Sequence, residues 1–428
     1  MMLKGKRIAG FMAATALATA MTAPVQAQSI EELKAQLEAL SKRIEELEKQ
    51  QKKTPKVKKA DPAFSLGSDD GLFEFNIRGR VLADAGWSSD SDGSMDKDTT
   101  ELRAARIGVE GKAWKDVKYK FEADFAGNDV EVKDAYMQYK TSMGSWTFGQ
   151  FKTPNSLEEQ ESSLNSNFIE RAAFTDAFAL ARMIGIGYGN GGDNWTFNAG
   201  VYRGSNDGSV DNEGQVFAAR ATYGDTFDNG NWMLGASVRF RDVGGDGDLL
   251  RYRQRAYLHS ADRLLATSRI AEKDTFYGLE GAVQYGSLNL TAEWAGLTAQ
   301  NGGAGGRDAF FYGGYVEAGW FITGETKPLN LAKGVWNRPK IKAPVHEGGM
   351  GGWQIAARFD RIDLTGDGVY GGEQDTLTLG VNWYLNRHTR FLANYSYVNI
   401  DKAFDVAANG ADGENSADTL GLRFQVDW

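Results

Sequence analysis

The sequence predicts an all-β fold: a transmembrane antiparallel β-barrel of about sixteen strands, preceded by a short N-terminal coiled-coil helix. Three observations carry this. The chain closes on Leu420, Leu422, Phe424, Val426 and Trp428, which alternate with Gly421, Arg423, Gln425 and Asp427. A period of two with one wholly apolar face marks a strand, and an apolar-out, polar-in strand ending on an aromatic suits an outer-membrane barrel. The same alternation recurs from Gly71 onward. At the other end, Lys4, Lys6 and Arg7 precede an apolar run from Ile8 to about Ala23, followed by the small-residue site Val25-Gln26-Ala27. Residues 1–27 therefore read as a secretory signal peptide cleaved after Ala27.

No later stretch reaches the 18 or so continuous apolar residues of a helical span, so any crossing is expected from strands. The chain has no Cys, which excludes disulfides and thiol chemistry. Its 52 Gly and net charge of −9 look soluble on average. Barrel strands look this way because their lipid-facing and lumen-facing residues cancel in any window. The signal peptide holds three positive charges and no negative one, so the mature chain would stand at −9 − 3 = −12.

Residues 28–53 come next. Ile30, Leu33, Leu37, Leu40, Ile44 and Leu47 are spaced as heptad a and d positions, with Ser29 and Glu32 placed as a capping box. About three heptads do not make a stable lone helix in water, so the seam implies partner copies. Residues 54–70 hold Pro55 and several Lys and read as an extended, charged linker. Contact with anionic cell-wall polymer is one use for it. Residues 71–428 form the barrel domain. Representative strands put Phe73, Phe75, Ile77 and Val81 outward against Glu74, Asn76, Arg78 and Arg80, and Trp232, Leu234, Ala236, Val238 and Phe240 outward against Arg239 and Arg241. If the first strand rises from the periplasm, long connections such as 153–181, 242–275 and 365–373 lie outside. Short turns then lie inside, with the long basic stretch 324–352 as an exception.

Candidate chemistry points to a pore. No catalytic, cofactor-binding or metal-ligating constellation is expected: the three His are unpaired at ligand spacing, and no nucleophile elbow or P-loop occurs. Asp363-Leu364-Thr365-Gly366-Asp367-Gly368 resembles the start of a calcium loop, but Glu373 falls one position early, and a solvated turn fits better. Strand parity places Arg78, Arg80, Arg106, Lys120, Arg220, Arg239, Arg241 and Arg358 on the lumen side. Arginine and lysine rings select anions. Nearly as many acids, among them Glu122, Asp124, Glu280, Glu293 and Glu317, share that face. The alternative is therefore a wall of cross-strand ion pairs. The apolar residues Phe168, Ile169, Phe174, Phe178 and Leu180 lie inside a connection, so that loop should pack into the lumen. The Arg-rich 242–275 loop would concentrate anions at a mouth.

The chain resembles the phosphate-selective porin O/P family of Gram-negative bacteria. The resemblance rests on Arg106-Ile107-Gly108-Val109-Glu110-Gly111, Val132-Lys133-Asp134-Ala135-Tyr136, Gly149-Gln150-Phe151-Lys152-Thr153-Pro154, Phe168-Ile169-Glu170-Arg171, Trp320-Phe321-Ile322-Thr323-Gly324-Glu325 and the closing Gly421 to Trp428. It implies a homotrimeric sixteen-stranded barrel narrowed by infolded loops, and passive uptake of phosphate or polyphosphate, with Arg106, Lys152 and Arg171 in matching motifs. The anion path is thus expected along Arg78, Arg80, Arg106, Lys120, Lys152, Arg171, Arg220, Arg239, Arg241 and Arg358. The expected site is the bacterial outer membrane, with the N-terminal segment in the periplasm. Expected partners are its own copies, outer-membrane lipid and lipopolysaccharide, inorganic anions and, through the N-terminal segment, peptidoglycan. No cofactor and no nucleic acid is expected. Rival readings are a general porin and a cell-wall tether anchored by the barrel.

Overall fold

The computed structural model describes residues 30–53, 56–59, 64–90, 93, 95–203, 213–245, 249–263, 265–403 and 413–428. The expected signal peptide, Gln28, Ser29 and part of the expected linker lie outside the described residues. Helix α1 (Ile30–Lys53) carries the heptad seam. In the single chain Leu37, Leu40, Ile44 and Leu47 are all exposed, Leu37 at 70%. The side chains of Ile30 and Leu33 are not among the described residues.

Among the described residues, sixteen strands form a closed antiparallel barrel. They are β1 (Glu74–Asp90), β2 (Lys97–Ala113), β3 (Val117–Asp124), β4 (Glu131–Thr141), β5 (Gly144–Lys152), β6 (Arg182–Gly191), β7 (Trp195–Arg203) and β8 (Gln215–Phe227), then β9 (Gly230–Asp242), β10 (Lys273–Tyr285), β11 (Leu288–Ala299), β12 (Ala309–Phe321), β13 (Gly352–Gly366), β14 (Val369–Tyr384), β15 (Thr389–Ala403) and β16 (Gly413–Asp427). Each pairs with the next in sequence. The cylinder closes where β16 meets β1, with Val426 opposite Val81 and Leu422 opposite Ala85. The terminal Trp428 seals that seam by exchanging backbone hydrogen bonds with Gly79, 3.0 and 3.1 Å.

Sidedness of the wall follows from period two. Leu102, Ile107, Leu234, Leu279, Val316, Phe359 and Leu379 face outward and are exposed, while Arg220, Glu280, Gln354, Arg358 and Asn382 face inward and are buried. That inversion of a soluble core is stable only where lipid covers the outer face. Trp114, Trp146, Trp195 and Tyr285 sit exposed at the short-turn ends of their strands, and Trp320 at the same end of the barrel, as an interfacial girdle. Outer-membrane barrels carry their short turns on the periplasmic side, which makes 153–181 the third outer loop and 322–351 a periplasmic insertion.

Some elements differ from the sequence reading; within the stretch read as linker, Lys56–Lys59 is a short strand. Phe64–Gly67, read as linker, is a strand that pairs with the start of β1, Ser65 opposite Asn76. Its turn is fixed by Asp70, whose carboxylate accepts from the Leu72 amide at 3.0 Å and the Ser68 hydroxyl at 2.5 Å. The expected long loop 365–373 is a tight hairpin between β13 and β14 instead. Asp367 and Gly368 both take positive φ, +52° and +83°, the conformation an Asp-Gly pair favours in a two-residue hairpin turn. The calcium-loop resemblance at Asp363–Gly368 dissolves into that turn.

Candidate functional site: a cation-lined path through the barrel

The third outer loop turns into the lumen and crosses it. Ser156 caps the short helix α2 (Leu157–Gln160), its hydroxyl accepting from the Glu159 amide. The amides of Leu157 and Glu158 donate to the Glu293 carboxylate on β11, 2.8 and 2.7 Å. Further along, Asn167 bonds Asn289 on β11 and Glu317 on β12, and the Ile169 amide reaches Asn394 on β15, 2.7 Å. The Ala173 amide, at the start of helix α3 (Ala173–Ala177), donates to Asp360 on β13, 3.0 Å. Phe174 and Phe178 then pack with Tyr252, Phe276, Phe311 and Tyr315 in an apolar cluster inside the barrel. The loop's apolar residues, which had no place in an exposed connection, thus line one side of the interior.

The periplasmic insertion enters from the opposite end. Its Leu329, Leu331 and Trp336 pack with Leu157 of the third loop and with Met233 and Ala282 of the wall. Lys327 is fully buried, 3.0 Å from Glu161 and 3.2 Å from the Asn167 side-chain oxygen Oδ1, under the Trp336 ring. Burial pushes the Glu161 carboxyl above its ordinary value, and the Lys327 charge opposes that rise. The two insertions meet here, deep in the lumen.

What they leave open is a cavity of about 620 Å³ against β1–β8. Six of the expected path residues line it: Arg80, Arg106, Lys120, Lys152, Arg171 and Arg220. Arg80 and Arg106 stand opposite each other in register and share Glu122, at 3.4 and 3.0 Å. Arg106 also holds Asp124 at 2.8 Å, Lys120 holds Asp134 at 2.6 Å, and Arg220 grips Glu280 while donating to the Gly334 carbonyl at 2.7 Å. Lys152 donates to the Glu161 carbonyl at 2.9 Å, and Arg171 pairs with Glu159.

The other four are placed elsewhere. Arg239 and Arg241 do point into the barrel, but the third loop covers Arg239. Arg239 has no exposed surface; it donates to the Ala179 carbonyl at 3.2 Å and lies over the Phe276 ring. Arg241 pairs with the buried Asp274. Arg358 is sandwiched between the rings of Phe168 and Tyr315, 4.6 and 4.7 Å, and binds Glu158 and Glu317, both at 2.6 Å. Arg78 pairs with Glu110 at 2.7 Å outside this cavity. The expectation that Arg239 meets pore water is corrected on this point. Parity fixes the face of a side chain, but not what later folds over it.

Five further cations line the cavity: Arg103, Arg182, Arg255, Lys333 and Arg423. Arg423 was on the lumen face by parity. Arg103 was hidden by a β-bulge, since Ala104 pairs with Leu82 and Leu102 with Ala83, leaving Arg103 extra. Arg182 shares its parity with the outward-facing Ile184 and Ile186, yet turns in to meet Asp134 at 2.8 Å. Arg255 and Lys333 come from the fifth outer loop and the periplasmic insertion, where alternation says nothing. Burial, then the Arg263 charge, holds Arg255 below the usual arginine value. In all, eleven cations face the cavity against three carboxylates, Asp134, Glu170 and Asp176. Glu122, Asp124, Glu159 and Glu280 are buried behind their cations and do not line it.

Among the described residues no group of His, Asp and Glu could hold a metal ion. A closed barrel with a lipid-facing apolar band and a constricted, charged interior defines an outer-membrane channel of the porin class. The chain belongs to the family described as "Phosphate-selective porin O and P", whose model matches residues 75–428. It is 31% identical over 390 residues to an uncharacterized protein of Caulobacter vibrioides, covering 86% of this chain and 76% of that one. To Porin O of Pseudomonas aeruginosa it is 25% identical over 422 residues, covering 86% and 92%. Similar solved structures include the trimer form of OmpT of Vibrio cholerae (TM-score 0.52, 13% identity, covering 83% of this chain and 100% of that one) and an anion-selective porin from Comamonas acidovorans (0.51, 13%, covering 82% and 99%). At these identities they bear on fold alone. The chain is accordingly placed in the bacterial outer membrane.

Proposed function

We propose that this channel favours small anions, inorganic phosphate among them, and that it works as a homotrimer with its N-terminal segment in the periplasm. One observation carries the ion preference: cations outnumber carboxylates eleven to three on the cavity wall. The sequence alone offered nearly equal numbers of both signs on the lumen face. On the cavity wall the cations prevail, and those are the charges nearest a passing ion. Buried carboxylates still neutralise part of the field, but the nearest charges dominate at pore distances. Arginine's planar fork suits a tetrahedral oxyanion.

Support for the trimer comes from the heptad seam of α1, whose described residues Leu37, Leu40, Ile44 and Leu47 are all exposed. The test of selectivity is the reversal potential of single channels in a potassium chloride gradient, followed by titration of phosphate against chloride current. Anion-side reversal and block by phosphate agree with the proposal. A reversal potential on the cation side, or one at zero, defeats it.

A further inference from the structure

One stretch of the cavity wall is aromatic. Tyr136 on β4, Phe151 on β5 and Tyr202 on β7 form a strip, with ring centroids 6.0 Å apart for the first pair and 5.4 Å for the second. All three border the cavity. Tyr202 is buried and backs Phe151, whereas Tyr136 and Phe151 are only half-buried. Two glycines leave room for the strip. A Cβ on Gly187 would stand 2.9 Å from the tip of Phe151, and one on Gly185 would stand 2.6 Å from the Tyr202 ring. The rings therefore lie against bare backbone, where any side chain would push them off the wall.

Cations adjoin the strip. Lys120 is the direct register partner of Tyr136, so the two side chains are nearest neighbours across β3 and β4. Lys152 follows Phe151 and faces Arg182 in the β5–β6 register. All border the same cavity. Inorganic phosphate has a use for the cations and none for a ring face. Aromatic surface turned toward water gains free energy only from a partner with an apolar or π face of its own.

Resting on the anion preference proposed above, we infer that the path is built for phosphomonoesters that carry a ring. Lys120, Lys152 and Arg182 take the phosphoryl group, and Tyr136 and Phe151 take the ring. The strip lies along the route, so it guides the organic half of the molecule while the charge moves between cations. Bare phosphate passes as the smaller member of the same class.

The full-length protein in planar bilayers tests this by block of chloride current with inorganic phosphate, methyl phosphate and phenyl phosphate. Phenyl phosphate should half-block at a concentration about tenfold below methyl phosphate, a ratio equal to about 1.4 kcal/mol. Phe151→Leu with Tyr136→Leu should abolish that ratio and leave block by methyl and inorganic phosphate unchanged. Leucine keeps apolar packing against Gly187 and Tyr202, and Tyr136→Phe should retain the ratio, which guards against a folding artefact. Equal block by phenyl and methyl phosphate in the unaltered channel overturns the inference, as does a ratio that survives both leucines. If inorganic phosphate blocks while the ring adds nothing, this inference alone fails. A channel that none of the three blocks and that reverses on the cation side defeats the anion preference with it.

Discussion

At the scale of single residues, the same charged residue type does two jobs, and whether the side chain itself borders the cavity separates them. Arg358 is a strut: it neutralises Glu158 and Glu317 and sits between two rings. Arg358→Ala would leave two buried carboxylates unpaired, a change that costs about 3–5 kcal/mol for a buried pair. The expected result is a folded barrel that loses its heat resistance in detergent at a lower temperature; an unaltered melting profile would show that the pair holds nothing. Arg103 is a wall charge instead. The chain has no Cys of its own, so Arg103→Cys should react with a water-soluble thiol reagent in the open channel while Arg239→Cys should not. Equal labelling at both positions would contradict the cover that the third loop places over Arg239. Alternation in the sequence put Arg80, Arg106, Lys120 and Arg220 on the lumen face, because a lipid-facing charge is costly and a strand has only two faces. It could not find Arg103, because one extra residue in a bulge reverses the count.

At the scale of elements, strands were legible and connections were not. A strand announces itself through period two, so the barrel and its closing strand could be read directly. The 153–181 loop announced its destination only through its apolar load, and the contacts that hold it, such as Asn167 to Asn289 and Ala173 to Asp360, join residues over a hundred positions apart. Arg255 and Lys333 reach the cavity on such connections, so the sequence showed two basic stretches but alternation could not tell which of their cations would border the path. Deleting Ser156–Ala173 should raise single-channel conductance several-fold and weaken ion discrimination, since a wide pore lets ions keep their water. Unchanged conductance would mean that the loop does not narrow the path. For α1, Leu37→Asp with Leu40→Asp and Leu47→Asp should make the assembled oligomer dissociate at a lower temperature on gels while each barrel stays folded. An oligomer as heat-resistant as the original would remove the seam from the account.

At the scale of the whole molecule, the net charge of −9 is misleading about the path, because the negative surplus lies elsewhere than on the cavity wall. The wall's influence should fade with salt, as the screening length falls from about 10 Å at 0.1 M to about 3 Å at 1 M. The anion-to-cation permeability ratio is therefore expected to fall across that range; a ratio independent of salt would point to discrimination by size. The meeting of Lys327 with Glu161 has a different consequence, one for biogenesis. The two insertions hang from opposite rims of the barrel, so they can touch only after the hairpin bearing residues 153–181 has been carried across the bilayer and the one bearing 322–351 has stayed behind. That contact is a record of completed translocation.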